Sequence, residues 1–285
     1  MKWLFKEHAR NVHEIRIDQD KVIKQNLLLI SDVHFDNPHC NRKLLKKHLD
    51  EAVKLNAPIV VVGDLFCLMQ GTADSRKGRG KHHIRPEHDV PNYFDAVVET
   101  AVEWWQPYAK HLVLVGQGNH ESAILKHNDI DVLERFACQL RAKGGITQAG
   151  GYGGWLKMSL KCYGHHRANT IYYHHGYGGG SATTRATQQF ARFQQMARAD
   201  IYISGHTHFK ESFPLRIAEL TRHHRERTID LHCLRLGTYK DEFAGAEGRG
   251  YHIEKGRTPR SLGGYWMEFN VSAQKEFSRS VREAN

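Results

Sequence analysis

The feature that most constrains this chain is a series of five short apolar runs, each followed by side chains that can bind a metal ion. The runs are residues 27–30, 59–62, 112–115, 171–173 and 201–204, and the polar segments after them are 31–34, 63–64, 118–121, 174–176 and 205–208. Apolar runs of this length are typical of buried strands. Because parallel strands present their carboxyl ends along one edge of a sheet, we expect the polar segments to meet there.

The stretches between these runs have the pattern of an α/β protein. They predict helices over 41–56, 92–110, 129–143 and about 184–198. Further strands are expected around 155–162, 170–173, 228–236 and 265–271, and loops over 71–91, 144–154 and 241–264. The fold class is therefore α/β (α+β), with two sheets covered by helices and the strand order left open. We expect one domain over 1–285, with a motif-bearing core at about 24–240 and a C-terminal extension at about 241–285.

Composition restricts the classes of protein to consider. No apolar run approaches the roughly 20 residues of a membrane helix, so a cytoplasmic protein without a membrane partner is expected. The five cysteines are an odd number and include no CxxC pair, which favours free thiols in a reducing compartment. Lys and Arg total 41 against 31 Asp and Glu, and the net charge of +10 favours polyanionic partners, nucleic acid first.

The polar segments offer a mixed set of metal ligands. In an extended segment, residues i and i+2 point the same way, so Asp32 with His34, and His206 with His208, are expected to aim at one place. With 21 histidines in the chain, a single HxH spacing is weak evidence for a metal site. Five polar segments with potential ligands, each at the end of a predicted strand, are strong evidence. Carboxylate, imidazole and amide oxygen together suit Mn, Fe, Zn or Ni better than Ca or Mg.

In their order and spacing the segments resemble the calcineurin-like metallophosphoesterase superfamily, whose pattern is DxH … GD … GNH[DE] … H … GHxH. The match runs from Ser31 to His208. The resemblance implies a two-sheet β-sandwich flanked by helices, with a dinuclear metal site at one edge. It assigns Asp32, His34 and His208 to the first metal, Asp64 to both, Asn119, His175 and His206 to the second, and proton donation to His120. His175 is preferred to His174 because the histidine of the family directly precedes a glycine.

Within the superfamily, the segment Gly63-Asp64-Leu65-Phe66 is most similar to the double-strand-break repair nucleases and their phage-encoded relatives. In those nucleases the third residue after the bridging aspartate is often a histidine that supports the catalytic histidine, and in phosphoprotein phosphatases it is an aspartate. Here it is Cys67, so the group that orients His120 stays open. Glu121 replaces the commoner aspartate and is expected to support the site without binding metal.

The expected activity is that of a dinuclear metal-dependent phosphoesterase. We expect in-line attack by a metal-bridging hydroxide, with His120 protonating the leaving alkoxide. Two divalent ions are implied, Mn first, with Fe, Zn or Ni as alternatives. The expected substrate is nucleic acid, because the segment after the bridging aspartate is basic. The resemblance to the repair nucleases favours DNA, and the choice between DNA and RNA stays open. Its candidate substrate contacts are Arg76, Lys77, Arg79, Lys81 and Arg85, and a plain solvated loop is the alternative.

Two other functions are compatible with the same residues. One is a phosphomonoesterase acting on a phosphoprotein, a nucleotide or the end of a nucleic acid. The other is a binding subunit that keeps the fold without turnover, although the intact ligand set argues against it. The native metal pair, the choice between exonuclease and endonuclease, and the oligomeric state stay open.

Overall fold

The computed structural model describes residues 3–68, 84–179, 187–243, 253, 256 and 258–285, and these form two sheets with helices on their outer faces. The strands are β1 (Trp3–Ala9), β2 (Val12–Gln19), β3 (Ile23–Ile30), β4 (Ile59–Val62), β5 (Leu112–Gly116), β6 (Gln148–Ala149), β7 (Gly153–Cys162), β8 (His165–His174), β9 (Ile201–Ser204), β10 (Glu211–Leu220), β11 (Glu226–Arg235), β12 (Gly264–Val271) and β13 (Phe277–Ala284). The helices are α1 (Arg42–Lys54), α2 (Tyr93–Trp105), α3 (Asn119–Asn128), α4 (Val132–Ala142) and α5 (Thr187–Met196).

The sheet topology places the ends of the five motif-bearing strands at shared rims. One sheet has the order β13-β12-β3-β4-β5-β6, and its strands β3 to β6 are parallel. The other has the order β1-β2-β7-β8-β9-β11-β10, in which β8, β9 and β11 are parallel. The carboxyl ends of β3, β4 and β5 therefore lie side by side, as do those of β8 and β9.

Alternation along the buried strands creates an inner core and two outer ones. On β3, Leu27 and Leu29 belong to an inner cluster that contains side chains of both sheets, whereas Leu28 and Ile30 belong to the cluster beneath α1, α2 and α4. Helix α5 covers the outer face of the seven-stranded sheet, with Phe193 buried there. The expectation of a two-sheet β-sandwich flanked by helices is confirmed.

Local sequence explains where two of the helices begin. The side chain of Asn41 accepts a hydrogen bond from the Leu44 N–H and caps α1, and Asp131 caps α4 through the Glu134 N–H. In α1 the buried residues recur at helical spacing, namely Leu45, His48, Leu49 and Ala52. Such periodicity is the signal that made these helices predictable.

Several elements differ from the sequence-based expectation. Strands β1, β2, β10 and β13 and helix α3 were not predicted, and β6 and the start of β7 fall in the expected loop 144–154. Strands β1, β10 and β13 are sheet edges and are largely exposed, so they carry no apolar run. Of the expected loops 71–91 and 241–264, residues 71–83, 244–252, 254, 255 and 257 lie outside the described residues. Strand β12 of the C-terminal extension pairs with β3, so the extension completes the central sheet.

The five cysteines form no disulfide, in agreement with the expected free thiols. Four are buried, and Cys138 is exposed. Among the residues with described positions, no helix has the length and apolar character needed to cross a membrane.

A buried histidine on β2 makes the fold sensitive to acid. His13 is 0% exposed and stacks on Phe5, with ring centroids 5.7 Å apart. Burial lowers its pKa from 6.5 to about 4. Because the unfolded chain takes up this proton more readily, the stabilisation from neutral His13 is complete above the unfolded pKa and is lost as the pH falls from 6.5 to 4, by up to about 3 kcal/mol.

We therefore expect His13→Leu to flatten the pH dependence of the unfolding free energy in this range, as measured by denaturant titration. His166→Leu, at an exposed position of β8, is the matched control for replacing a histidine by leucine. Parallel curves for wild type and His13→Leu would contradict the assignment.

Candidate dinuclear metal centre

The backbone at the candidate site is unusual, because most of the expected ligands lie in the left-handed region. The residues with positive φ are Asp32 (+50°), His34 (+48°), Asp64 (+49°), His206 (+72°) and His208 (+61°). The expectation of extended DxH and HxH segments is therefore wrong, since β3 ends at Ile30 and β9 at Ser204. Each such residue costs about 1–3 kcal/mol, so the surrounding contacts must hold it in place.

The segment after β3 is held by the neighbouring loops. Asp32 N–H donates to the Gly63 carbonyl and His34 N–H to the Asp64 carbonyl, both at 3.1 Å. The Asp32 carbonyl accepts the Thr238 hydroxyl at 2.7 Å and the Tyr239 N–H at 3.0 Å. Asp32 and His34 are thus positioned by main-chain contacts on two sides.

Helix α3 is connected to the loop after β4 by one buried carboxylate. Glu121 accepts the N–H groups of Gly118 at 2.9 Å, Asp64 at 3.2 Å and Phe66 at 2.9 Å. Burial and the charge of Asp64 raise the pKa of Glu121 to about 8, against the effect of these donors. Glu121 belongs to neither donor group below and shapes the loop that carries Asp64.

The first donor group consists of Asp32, His34 and His208, whose ligand atoms all lie within 4.8 Å of one another. The Nε2 atoms of His34 and His208 face each other at 3.2 Å, and Asp32 Oδ1 lies 3.3 Å from His208 Nε2. Burial lowers the pKa of His34 well below its usual value and so favours the neutral form that binds metal. Asp32 Oδ1 is buried and accepts no hydrogen bond from the residues described here. Two facing ring nitrogens and an unsatisfied carboxylate oxygen fit a shared cation.

The second donor group consists of Asp64, His175 and His206, also within 4.8 Å of one another. His175 Nε2 lies 3.2 Å from both Asp64 Oδ2 and Asn119 Oδ1, and His206 Nδ1 lies 2.7 Å from the same amide oxygen. His175 Nδ1 is 2.8 Å from the Val62 carbonyl, which can only accept, so Nδ1 carries the proton and Nε2 is left for a cation.

The charges of His175 and Asp64 depend on each other. Burial disfavours the charged form of His175, but the charge and hydrogen bond of Asp64 outweigh it and raise the pKa of His175 to about 10. Burial likewise opposes ionisation of Asp64, whose pKa is nevertheless held well below its usual value by His175 and His120. The proton on His175 compensates a buried carboxylate, and a divalent cation can replace that proton.

Backbone donors hold the aspartate of each group, and one of them connects the two groups. His206 N–H donates to Asp32 Oδ2 at 2.9 Å, and His120 N–H donates to Asp64 Oδ1 at 3.0 Å. The structure thus brings together all seven side chains predicted as metal ligands. Their carboxylate, imidazole and amide donors fit a pair of divalent transition-metal ions.

His174, the alternative to His175, lies outside both donor groups. Its Nδ1 accepts the Gly176 N–H at 3.0 Å, and its ring packs on Tyr152 and Phe193. Burial lowers its pKa to about 4. The geometry therefore favours His175 as the ligand.

His120 is oriented by the main chain. Its Nδ1 lies 2.5 Å from the carbonyl oxygen of Cys67, and its Nε2 lies 3.9 Å from Asp64 Oδ2. The orienting group that the sequence left open is thus a peptide carbonyl. The Cys67 thiol accepts a hydrogen bond from Asn37 at 3.3 Å, and although it lies near His34 and His120, burial raises its pKa to about 12 and keeps it protonated.

The predicted substrate contacts are only partly described. Arg76, Lys77, Arg79 and Lys81 lie outside the described residues. Arg85 donates through Nε to the Asn37 carbonyl at 3.1 Å and through Nη2 to the Cys40 carbonyl at 3.4 Å. Its guanidinium therefore supports the loop after His34, and substrate binding by the five residues stays a prediction.

Sequence reasoning missed the groups that hold the ligands. Asp36 accepts a hydrogen bond from the loop that contacts His120. The Thr238 hydroxyl donates to the Asp32 carbonyl, and the Val62 carbonyl accepts from His175. Main-chain carbonyls carry no sequence signature. Asp36 lies next to the DxH segment, but only the fold shows what its carboxylate contacts.

Gly205 allows the two rims to approach closely. A Cβ atom there would overlap Ser31 Oγ and would lie 2.6 Å from Asp32 Oδ2. We expect Gly205→Ala to displace Asp32, lower the unfolding free energy by about 1–3 kcal/mol and reduce bound Mn²⁺ in a metal analysis. Gly179→Ala is the control, because none of the described residues comes within 4 Å of a Cβ atom at that position. Wild-type stability and metal content in Gly205→Ala would refute this steric account.

A match to a protein-family model supports the same interpretation. Residues 26–210 match the family described as calcineurin-like phosphoesterase, and a search of curated proteins finds no match. Among solved structures, protein TM1076 of Thermotoga maritima is 14% identical and covers 91% of this chain and 99% of its own, with a TM-score of 0.33. GAP50, the anchor in the inner membrane complex of Plasmodium, is 10% identical and covers 92% and 85%, with a TM-score of 0.37. At these scores neither likeness carries an argument. The family match spans more than half of the chain and includes every residue of both donor groups, so this protein belongs to the calcineurin-like phosphoesterase family.

Proposed function

We propose that this metal-dependent phosphoesterase is a phosphodiesterase that uses two divalent cations, Mn²⁺ first, to hydrolyse nucleic acid, and DNA in particular. Family membership and the paired donor groups support the metal-dependent phosphoesterase. The observation that carries the proposal is the convergence of the seven donors beside His120, whose Nε2 lies 3.9 Å from Asp64 Oδ2.

The seven donors would hold two cations. Asp32, His34 and His208 would hold one cation, and His175, His206 and Asn119 the other, with Asp64 shared between them. When bound, the cations would supply Lewis acidity and lower the pKa of water in the site. The hydrogen bonds to the backbone keep these donors preorganised.

His120 would donate the proton that the leaving group needs. The Cys67 carbonyl holds the proton on Nδ1, so it is Nε2 that gains and loses a proton. As the P–O bond to the leaving group breaks, the Nε2 proton passes to the departing alkoxide oxygen and neutral His120 remains. The side chain is 11% exposed, which leaves it accessible from the solvent side of the site.

Charge supports a nucleic-acid substrate. The chain has a formal net charge of +10, and the segment 74–85 after Asp64 carries five Lys and Arg residues. The similarity of residues 63–66 to the repair nucleases and their phage relatives supports the same substrate class. A phosphomonoesterase stays the alternative.

The test is a substrate panel with Mn²⁺, comparing labelled single- and double-stranded DNA, RNA, mononucleotides and a phosphopeptide. We expect internal or stepwise cleavage of DNA, and binding that weakens steeply as salt rises. Asp64→Ala, prepared in the same way, excludes a contaminating nuclease. Release of terminal phosphate alone would replace the proposal by the phosphomonoesterase. A metal-loaded protein inert on both bis-nitrophenyl and nitrophenyl phosphate would indicate a binding subunit.

His120→Ala should lower turnover on DNA by about 10²–10⁴-fold, because an alkoxide leaving group needs the proton. Bis-nitrophenyl phosphate should be much less affected, since its leaving group is already stable as an anion. Bound metal should be unchanged, and His127→Ala, at an exposed position of the same helix, should behave as wild type. Full turnover of His120→Ala on DNA would show that another group donates the proton.

A further inference from the structure

We propose that Asp36 is a positioning residue that sets the orientation of His120 through the peptide group between Cys67 and Leu68. The inference rests on the proposed role of His120 as proton donor. Asp36 is 3% exposed and belongs to neither donor group. It lies two residues after His34, yet its contacts are with a different loop.

The carboxylate of Asp36 holds two consecutive backbone N–H groups. Oδ1 accepts from Cys67 N–H at 2.5 Å, and Oδ2 accepts from Leu68 N–H at 2.9 Å and from the Tyr93 hydroxyl at 2.9 Å. Three donors satisfy a carboxylate that would otherwise be costly to bury. Leu68 has a φ of +49°, so the carboxylate also stabilises a left-handed turn.

The peptide group links Asp36 to His120 directly. The Leu68 N–H and the Cys67 carbonyl belong to one planar unit, and in a trans peptide they point in opposite directions. Asp36 binds the N–H side at 2.9 Å, and His120 Nδ1 binds the carbonyl side at 2.5 Å. Rotation of this plane would therefore break both bonds.

The arrangement also affects the strength of the bond to His120. A negatively charged acceptor on the N–H side polarises the peptide and makes its carbonyl a stronger acceptor. The proposed acid His120 is thus oriented by the Asp36 carboxylate, which acts through the peptide group between Cys67 and Leu68. Tyr93 is the first residue of α2, so the same carboxylate ties the loop to that helix.

Asp36→Asn tests this link, because the amide nitrogen would face a backbone N–H and one of the two bonds would be lost. We expect turnover on DNA to fall about 10–100-fold with little change in KM, as for a misplaced catalytic group. Bis-nitrophenyl phosphate and bound metal should be nearly unaffected. In the His120→Ala background, Asp36→Asn should cause no further loss, because both changes act on one group.

A second readout needs neither metal nor turnover. In metal-free protein with ¹⁵N-labelled histidine, the His120 signals, identified by their loss in His120→Ala, should show the proton on Nδ1. Asp36→Asn should shift that tautomer population. Asp95→Asn, an exposed acid on α2 paired with Arg135, is the matched control and should change none of these measurements.

Equal slowing of both diesters, loss of metal, or an additive effect in the His120→Ala background would overturn the inference and leave a purely structural role. An unchanged His120 tautomer in Asp36→Asn would also overturn it. If Asp36→Asn does not fold, Tyr93→Phe removes one of the three donors and should show the same pattern at smaller size. Inactivity of the wild type on every substrate would refute the proposed function instead, and the tautomer measurement would still decide whether Asp36 orients His120.

Discussion

The structure depends on two buried aspartates at the rim between the sheets. Asp32 follows β3 and accepts the N–H of His206 from the facing sheet, and Asp64 follows β4 and accepts the N–H of His120. A carboxylate in this position is costly without compensating donors and positive charge. Asp64 raises the pKa of the buried His175, so that a protonated imidazole compensates the charge of the carboxylate. The two aspartates therefore need both the N–H donors of the neighbouring segments and a nearby positive charge, which a bound cation would supply.

The backbone around the two aspartates is closely packed and strained. Gly63, Gly118 and Gly205 approach the ligands so closely that a Cβ atom at any of them would overlap a side chain of the site. Asp64 follows Gly63 and His206 follows Gly205, and both adopt left-handed conformations that only a dense set of hydrogen bonds can hold. Two buried carboxylates, Glu121 and Asp36, supply much of that set, and together they bind four N–H groups between residues 64 and 68.

The loop over residues 64–68 also shows where prediction from sequence ended. The order of apolar runs and polar segments predicted the buried strands and two sheets covered by helices. The family resemblance implied the sandwich and the seven donors that meet at the rim. It failed for the edge strands, where exposed alternating residues leave a weak pattern, and for the DxH and HxH geometry. Cys67 stands where the repair nucleases often have a histidine that supports the catalytic histidine. In this structure the carbonyl of Cys67 orients His120, and every residue type has a carbonyl.

The sequence alone determined the residue types available and the strands they follow, because hydrophobic periodicity and ligand chemistry are local properties of the chain. The resemblance of those segments to a known family implied, in addition, a pair of cations and a proton donor. Only the tertiary structure decided how those groups are held: which ring nitrogen of His175 faces Asp64, which carbonyl orients His120, and which carboxylate grips that carbonyl's peptide group. These depend on contacts between residues far apart in the chain and on backbone atoms common to all residues, so no pattern of side chains encodes them.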